Sequence, residues 1–259
     1  MRERTVTVKI GGRAAADKTV LARLAEEMGR LKKEMDLVLV HGGGSEVSKV
    51  TKVFGLEPVF RDGVRMTSPE EMDIVDMVLA GKMNKYLVRL FNLYSAAVGL
   101  SGSDGRLFTG KRLHCDDDET TCTGSINEVQ PQLLEILIEA GFLPVVSSTS
   151  MDESGSPLNI NADEAALALA AALPSSDLVF ISDVPGILKG GTVIPSLSRS
   201  SAEAEIAAGV IAGGMIPKVR SSLGALESGV ERIIIGEYRD TGDLERLLAG
   251  SSGTKITAE

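Results

Sequence analysis

The chain has no tryptophan, and aromatic residues make up only 3% of its 259 positions. With so few large rings, Ala, Val, Leu and Ile must build the core within an apolar content of 43%. No run of about 18 apolar residues exists, and Met1-Arg2-Glu3-Arg4 lacks an apolar leader core, which argues against a membrane span or a signal peptide. Basic runs interleaved with aromatics are also missing, and the net charge of −9 speaks against nucleic acid as a partner. A soluble, cytoplasmic protein with no membrane partner is expected. Cysteine is scarce too. Cys115 and Cys122, with His114 and Asp116 to Asp118, suggest a metal site, but no CxxC pair accompanies them. Reduced cysteines are the expectation, with a cross-strand disulfide as the alternative.

Glycine, by contrast, is plentiful: 28 residues with no fixed period. In Leu37-Val38-Leu39-Val40-His41-Gly42-Gly43-Gly44-Ser45 an apolar, β-rich run stops at three glycines, and helix-compatible residues follow. This order predicts a buried parallel strand, a tight turn and a helix N-terminus. Bare N–H groups there, beside the positive end of a helix, suit an anion. One such turn by itself reads first as a ligand-free βα connection. A second copy, Val6-Thr7-Val8-Lys9-Ile10-Gly11-Gly12, adds a lysine at the strand end and strengthens the case for a ligand.

Elsewhere strands alternate with helices. The long helix opened by Ser68-Pro69-Glu70-Glu71 carries an apolar stripe, with Gly81 marking a bend or close packing. Arg106 to Thr123 reads as a polar hairpin projecting from the sheet. Asn161 caps an alanine-rich helix, with Glu164 completing a capping box. The alternation predicts an α/β fold with a parallel-rich sheet covered on both faces. Pro174-Ser175-Ser176-Asp177 marks a lobe boundary, giving an N-terminal lobe of 1–173 and a C-terminal lobe of 174–259.

Several familiar motifs fail. Gly11-Gly12 continues as Arg13-Ala14-Ala15-Ala16, which is not a dinucleotide fingerprint. Gly105 to Lys111 nearly spells a P-loop, but Arg112 replaces the required Ser or Thr. His41 and its glycines suggest a hydrolase oxyanion hole, yet the chain has no Gly-x-Ser-x-Gly elbow. What survives is a set of polar turns expected at the carboxyl edge of the sheet: Lys9 to Gly12, His41 to Ser45, Ser182 to Gly186, and Gly213-Gly214 leading to Lys218. Two lysines and several glycine turns suit a polyphosphate, and Asp163, beside Asn159 and Asn161, is placed to hold the lysines.

These motifs, taken in order, resemble those of the amino acid kinase family along essentially the whole chain. The segments are Val8 to Gly12, Val40 to Gly44, Gly63 to Thr67, Leu79 to Lys85, Leu143 to Ser148, Leu158 to Asp163, Ser182 to Ile187, and Gly213 to Val219. Within the family the pattern is most similar to members that phosphorylate N-acetylglutamate. The resemblance implies an open, mainly parallel eight-stranded sheet sandwiched between helices in three αβα layers. It implies ATP-dependent phosphorylation of the side-chain carboxylate of N-acetyl-L-glutamate, a step of arginine (ornithine) synthesis, with Mg2+ held mainly by the ATP phosphates and no protein metal site. Lys9 and Lys218 would neutralise the transferring group and Asp163 would orient them. Gly43, Gly44, Arg65 and Asn159 would bind substrate. Gly11, Gly12, Ser182, Asp183, Val184, Pro185, Gly186, Ile187, Val210, Ile211, Ala212, Gly214 and Met215 would contact the nucleotide.

Gly99 to Lys111 is at least as similar to kinases of carrier-linked aminoadipate or glutamate, so that substrate class is the alternative. A non-catalytic nucleotide-binding regulatory module is a third reading, opposed by retention of both lysines and Asp163. Arginine-inhibited hexameric relatives carry an extra N-terminal helix, whereas four residues precede the first strand here. The resemblance therefore implies an arginine-insensitive homodimer.

Overall fold

Successive residues of the central strands bury into opposite faces of one sheet. Val38 and Val40 enter one core while Leu37 and Leu39 enter the other; Leu178 and Phe180 are likewise opposed to Val179 and Ile181. Side chains alternate across a strand, so continuous apolar runs require cover on both faces. The structure, a computed structural model, describes residues 4–61, 63–113, 121–174 and 176–259.

The 8-stranded sheet runs, in spatial order, Ser196–Leu197, Thr254–Ile256, Arg232–Glu237, Ser176–Ser182, Thr5–Ile10, Asp36–His41, Leu143–Ser147 and Ala97–Leu100. Every neighbouring pair is parallel except Arg232–Glu237 with Thr254–Ile256. The expected three-layer, mainly parallel architecture is what the chain adopts. The boundary at residue 174 falls in the turn before Ser176–Ser182, and the sheet runs on across it, Lys9 lying opposite Phe180.

Three local expectations are corrected. The two strands after Arg106 pair antiparallel, as a hairpin should, but they do not stand alone. Phe108–Arg112 and Thr123–Val129 close a small barrel with Thr149–Met151 and Pro157–Ile160. Its closure rests on pairings such as Asn159 with Thr123, which no local pattern reveals. The long helix is α-helical at Pro69–Asp76, π-helical at Met77–Met83 and α-helical again at Asn84–Phe91. Wide turns of this kind are frequent at functional sites. The helix Ala162–Ala172 is capped by Asn161, whose Oδ1 accepts the Asp163 N–H at 2.8 Å. Glu164 completes no capping box there. Its Oε1 accepts the Ile126 N–H at 2.7 Å instead, tying the helix to the barrel.

Candidate active site

Parallel pairing sets Ile10 beside His41, so both glycine turns leave the carboxyl edge of the sheet side by side. Lys9 sits two residues before Gly11, where the first turn begins. Its Nζ lies 2.6 Å from Asp163 Oδ1, and Lys218 Nζ lies 3.0 Å from Asp163 Oδ2. Lys218 enters from the helix Met215–Glu227, with its ammonium 4.7 Å from the centre of the Phe180 ring. The Gly213-Gly214 turn before that helix follows a loop after the helix Arg199–Ala207, not a strand as expected. Burial works to raise the Asp163 pKa, but the two ammoniums outweigh it and hold the carboxyl below its ordinary value. Three charges in contact therefore leave one positive charge in surplus.

The glycines have separate tasks. A Cβ at Gly11 would collide with the Lys9 ammonium. Gly12 adopts φ +57, and a Cβ there would sit 2.7 Å from the Asp183 carboxylate, which accepts the Arg13 N–H at 2.9 Å. Gly43 is backed by Leu79 and Met83 of the π segment, so a Cβ there would overlap the Met83 Sδ. Gly44, the first residue of the helix Gly44–Val53, faces open space. That helix starts without a side-chain cap, leaving its first N–H groups free to meet an anion.

At the other end of the cleft Arg65 is buried, with 8% of its side chain exposed. Nη1 donates to Glu71 Oε1 at 2.6 Å, and Nη2 donates to the Gly44 carbonyl at 3.1 Å and to Ser48 Oγ. The guanidinium also lies 4.7 Å from the centre of the Phe60 ring. Asn159 is positioned by donation from Nδ2 to Thr67 Oγ1 at 2.8 Å.

One cleft of about 750 Å³ gathers Lys9, Gly11, Gly12, Gly43, Gly44, Arg65, Asn159, Asp163, Gly214 and Lys218. Ser182 to Ile187, Val210 to Ala212 and Met215 lie off its wall. Ser182 and Asp183 line a smaller hollow of about 110 Å³ beside Tyr238. The Ile187 N–H donates to Thr254 Oγ1 at 2.8 Å, and Ile211 is buried in the core. His114, Cys115 and Asp116 to Asp118 lie outside the described residues. Cys122 is buried, and burial raises its thiol pKa. Among the described residues no group of three or more His, Cys, Asp or Glu is placed to hold a metal.

Two contributors escape a sequence reading. Glu71 occupies the third position after the Ser68 cap, where a helix-start role accounts for it; its side chain instead holds Arg65. Ser48, on the exposed-looking start of a helix, does the same. Buried arginine needs a carboxylate, and that need was the available signal.

A sequence profile described as "Amino acid kinase family" matches residues 4–237. Proteins named acetylglutamate kinase from Solidesulfovibrio magneticus and Aquifex aeolicus are each 39% identical to this chain; the alignments cover 98% and 97% of it and 91% of either relative. One from Geobacillus kaustophilus is 40% identical, over 92% of both chains. Among solved structures, smu.665 from Streptococcus mutans superposes over 100% of both chains with a TM-score of 0.82 and 26% identity. A carbamate kinase from Giardia, 17% identical, shares the fold with a TM-score of 0.72 over 98% of this chain and 99% of its own.

Proposed function

The chain belongs to the amino acid kinase family, and we propose that it transfers the γ-phosphoryl group of ATP to the side-chain carboxylate of N-acetyl-L-glutamate, a step of arginine synthesis. The observation that carries this is Asp163 gripping two ammoniums from distant parts of the chain, at the glycine turns of a cleft that also holds a buried guanidinium. A carboxylate is already a nucleophile at neutral pH, so no general base is needed. The obstacle is bringing one anion onto another, which fixed cations and N–H dipoles overcome.

In this reading an acceptor carboxylate oxygen bonds to the γ-phosphorus as the bond to the β–γ bridging oxygen breaks. The electron pair leaves with ADP. Lys9 and Lys218 neutralise the transferring group, Asp163 keeps both aimed at it, and the N–H groups of Gly11, Gly43 and Gly44 cradle its oxygens and the acceptor carboxylate. Arg65 clamps the α-carboxylate and Asn159 meets the acetamido group, a task that suits a planar guanidinium better than an ammonium. Ser182 to Ile187, Val210 to Ala212, Gly214 and Met215 are the segments assigned to the nucleotide. Gly214 lies on the cleft wall, the others lie beyond it, and Ile187 and Ile211, buried, would serve by shaping the backbone rather than by side-chain contact. Mg2+ would be held through the ATP phosphates rather than by side chains of this cleft, and would add positive charge to the transferring group. The enzyme acts in the cytoplasm as a homodimer, for which the exposed Met77, Leu93 and Tyr94, on and just beyond one helical element, supply apolar surface.

An ADP-release assay over N-acetyl-L-glutamate, glutamate, acetylated aminoadipate and no acceptor tests this. Turnover should require N-acetyl-L-glutamate. ATP binding without acceptor-dependent turnover would replace the kinase with a regulatory module.

A further inference from the structure

We infer that His41 is a positioning residue: its ring holds the Gly42 carbonyl so that the Gly43 N–H, the opposite pole of the same peptide unit, is turned into the cleft. The inference rests on the phosphoryl-transfer reading of that cleft, since it assigns the N–H a charge to meet.

The geometry is local. His41 Nδ1 lies 3.0 Å from the Gly42 oxygen, and a carbonyl can only accept, so Nδ1 carries the proton. No cis peptide bond occurs among the described residues, and in a trans unit the C=O and N–H point in opposite directions. His41 is fully buried behind the turn, whereas Gly43 lines the cleft. Pulling the carbonyl back to the ring therefore sends the N–H forward. The Gly43 carbonyl, in the next unit, is engaged separately by the N–H groups of Glu46 and Val47 at 2.9 Å.

A second residue fixes the tautomer. Asn84 is buried, with Nδ2 3.2 Å from His41 Nε2, 2.8 Å from the Val145 oxygen and 3.3 Å from the Leu100 oxygen. Asn84 Oδ1 faces the other way, accepting from Lys85 Nζ at 3.1 Å. An amide nitrogen donates and cannot accept, so a proton on Nε2 would have no partner there. Nε2 stays bare, sharing the two Nδ2 hydrogens with the two carbonyls, and the single proton stays on Nδ1. Desolvation keeps the ring neutral, pushing the His41 pKa down to about 4, with Lys85 acting in the same direction and the Gly42 carbonyl against it. Packing alone would be served by an apolar side chain. Here both ring nitrogens are engaged, one of them by the peptide whose N–H lines the site.

The test has two arms. The chain has two histidines, so nitrogen-15 NMR of the histidine-labelled protein at pH 7 reads the ring directly, with a His114→Gln variant for assignment. His41 should show a protonated Nδ1 and a bare Nε2. An Nε2–H tautomer or an imidazolium would overturn the inference.

The second arm compares two substitutions. His41→Asn keeps a donor near the Nδ1 position and should retain kcat within about threefold, while His41→Gln keeps only the Nε2 position and should lose about tenfold or more, the scale of disturbing one donor to a developing charge. KM for ATP should hold in both. Equal losses in the two folded variants, or none in either, would reduce His41 to packing. If the unsubstituted protein fails to phosphorylate N-acetyl-L-glutamate, the proposed function falls, and the NMR arm alone then judges the ring.

Discussion

The two ends of the cleft handle charge in opposite ways. At the phosphoryl end one carboxylate serves two ammoniums, and the side chains of Lys9, Lys218 and Asp163 remain 12%, 17% and 26% exposed. At the acceptor end one guanidinium is matched by one carboxylate, with Arg65 and Glu71 only 8% and 5% exposed. The first arrangement has one positive charge to spare, on ammoniums that Asp163 keeps side by side for an incoming anion. The second is neutral as a pair and already assembled, with Ser48, Gly44 and Phe60 holding the guanidinium plane. Charge is surplus where a group must move, and geometry is fixed where a group must be held.

The difference is sharpest in kinetics. Lys9→Ala or Lys218→Ala removes an interaction that strengthens as charge develops on the transferring group. Each should lower kcat by roughly 10²–10³, about 3–4 kcal/mol, with little change in KM for the acyl-amino acid. Steady-state kinetics with both substrates varied decides the matter. A near-normal kcat would remove that lysine from the chemistry and leave the phosphoryl end merely a binding surface.

A smaller effect is expected at the assembled end. Arg65→Lys keeps the charge but loses the planar fork that reaches Glu71, Ser48 and the Gly44 carbonyl at once. KM for N-acetyl-L-glutamate should rise about tenfold or more, roughly 1.4 kcal/mol, while KM for ATP holds within about twofold. Equal effects on both substrates would erase the contrast between the ends.

The same contrast explains what the sequence made legible. Lys9 and the glycine triplet sit in short segments whose neighbours announce them, an apolar run before and a helix after, and local order brings them to one edge of a parallel sheet. Lys218 is announced only by its Gly213-Gly214 turn. It lies inside the helix Met215–Glu227, which follows a loop, and tertiary packing brings it to Asp163, the acid both lysines need. The acceptor end was harder because its support is tertiary. Glu71 carries the mark of a helix start, and only burial beside Arg65 reassigns it. Glu164 was misread in the same way, its carboxylate leaving its own helix for the Ile126 N–H. The barrel and the π segment lie further from local pattern still. One closes through pairings as distant in the chain as Thr109 with Met151 and Thr123 with Asn159, and the other differs from an α-helix only in backbone bonding.

Neighbouring glycines offer the finest test. Gly43 belongs to the packed side of the turn: a methyl there meets Met83 and Leu79, both on the π segment, with Leu79 buried. Overpacking of this sort costs about 1–3 kcal/mol, so Gly43→Ala should lower thermal stability measurably and disturb the turn. Gly44 belongs to the open side, where a methyl meets nothing within 4 Å. In a helical first turn alanine costs no stability relative to glycine, so Gly44→Ala should unfold at or slightly above the temperature of the unsubstituted protein. Its methyl would nevertheless enter the space reserved for the acceptor carboxylate, raising KM for N-acetyl-L-glutamate a few-fold, on the order of 1 kcal/mol. Calorimetry and kinetics on the two variants should therefore trade places, one losing stability and the other affinity. If both lost stability alike, Gly44 would be part of the rigid frame and the turn would have no open side to offer a substrate.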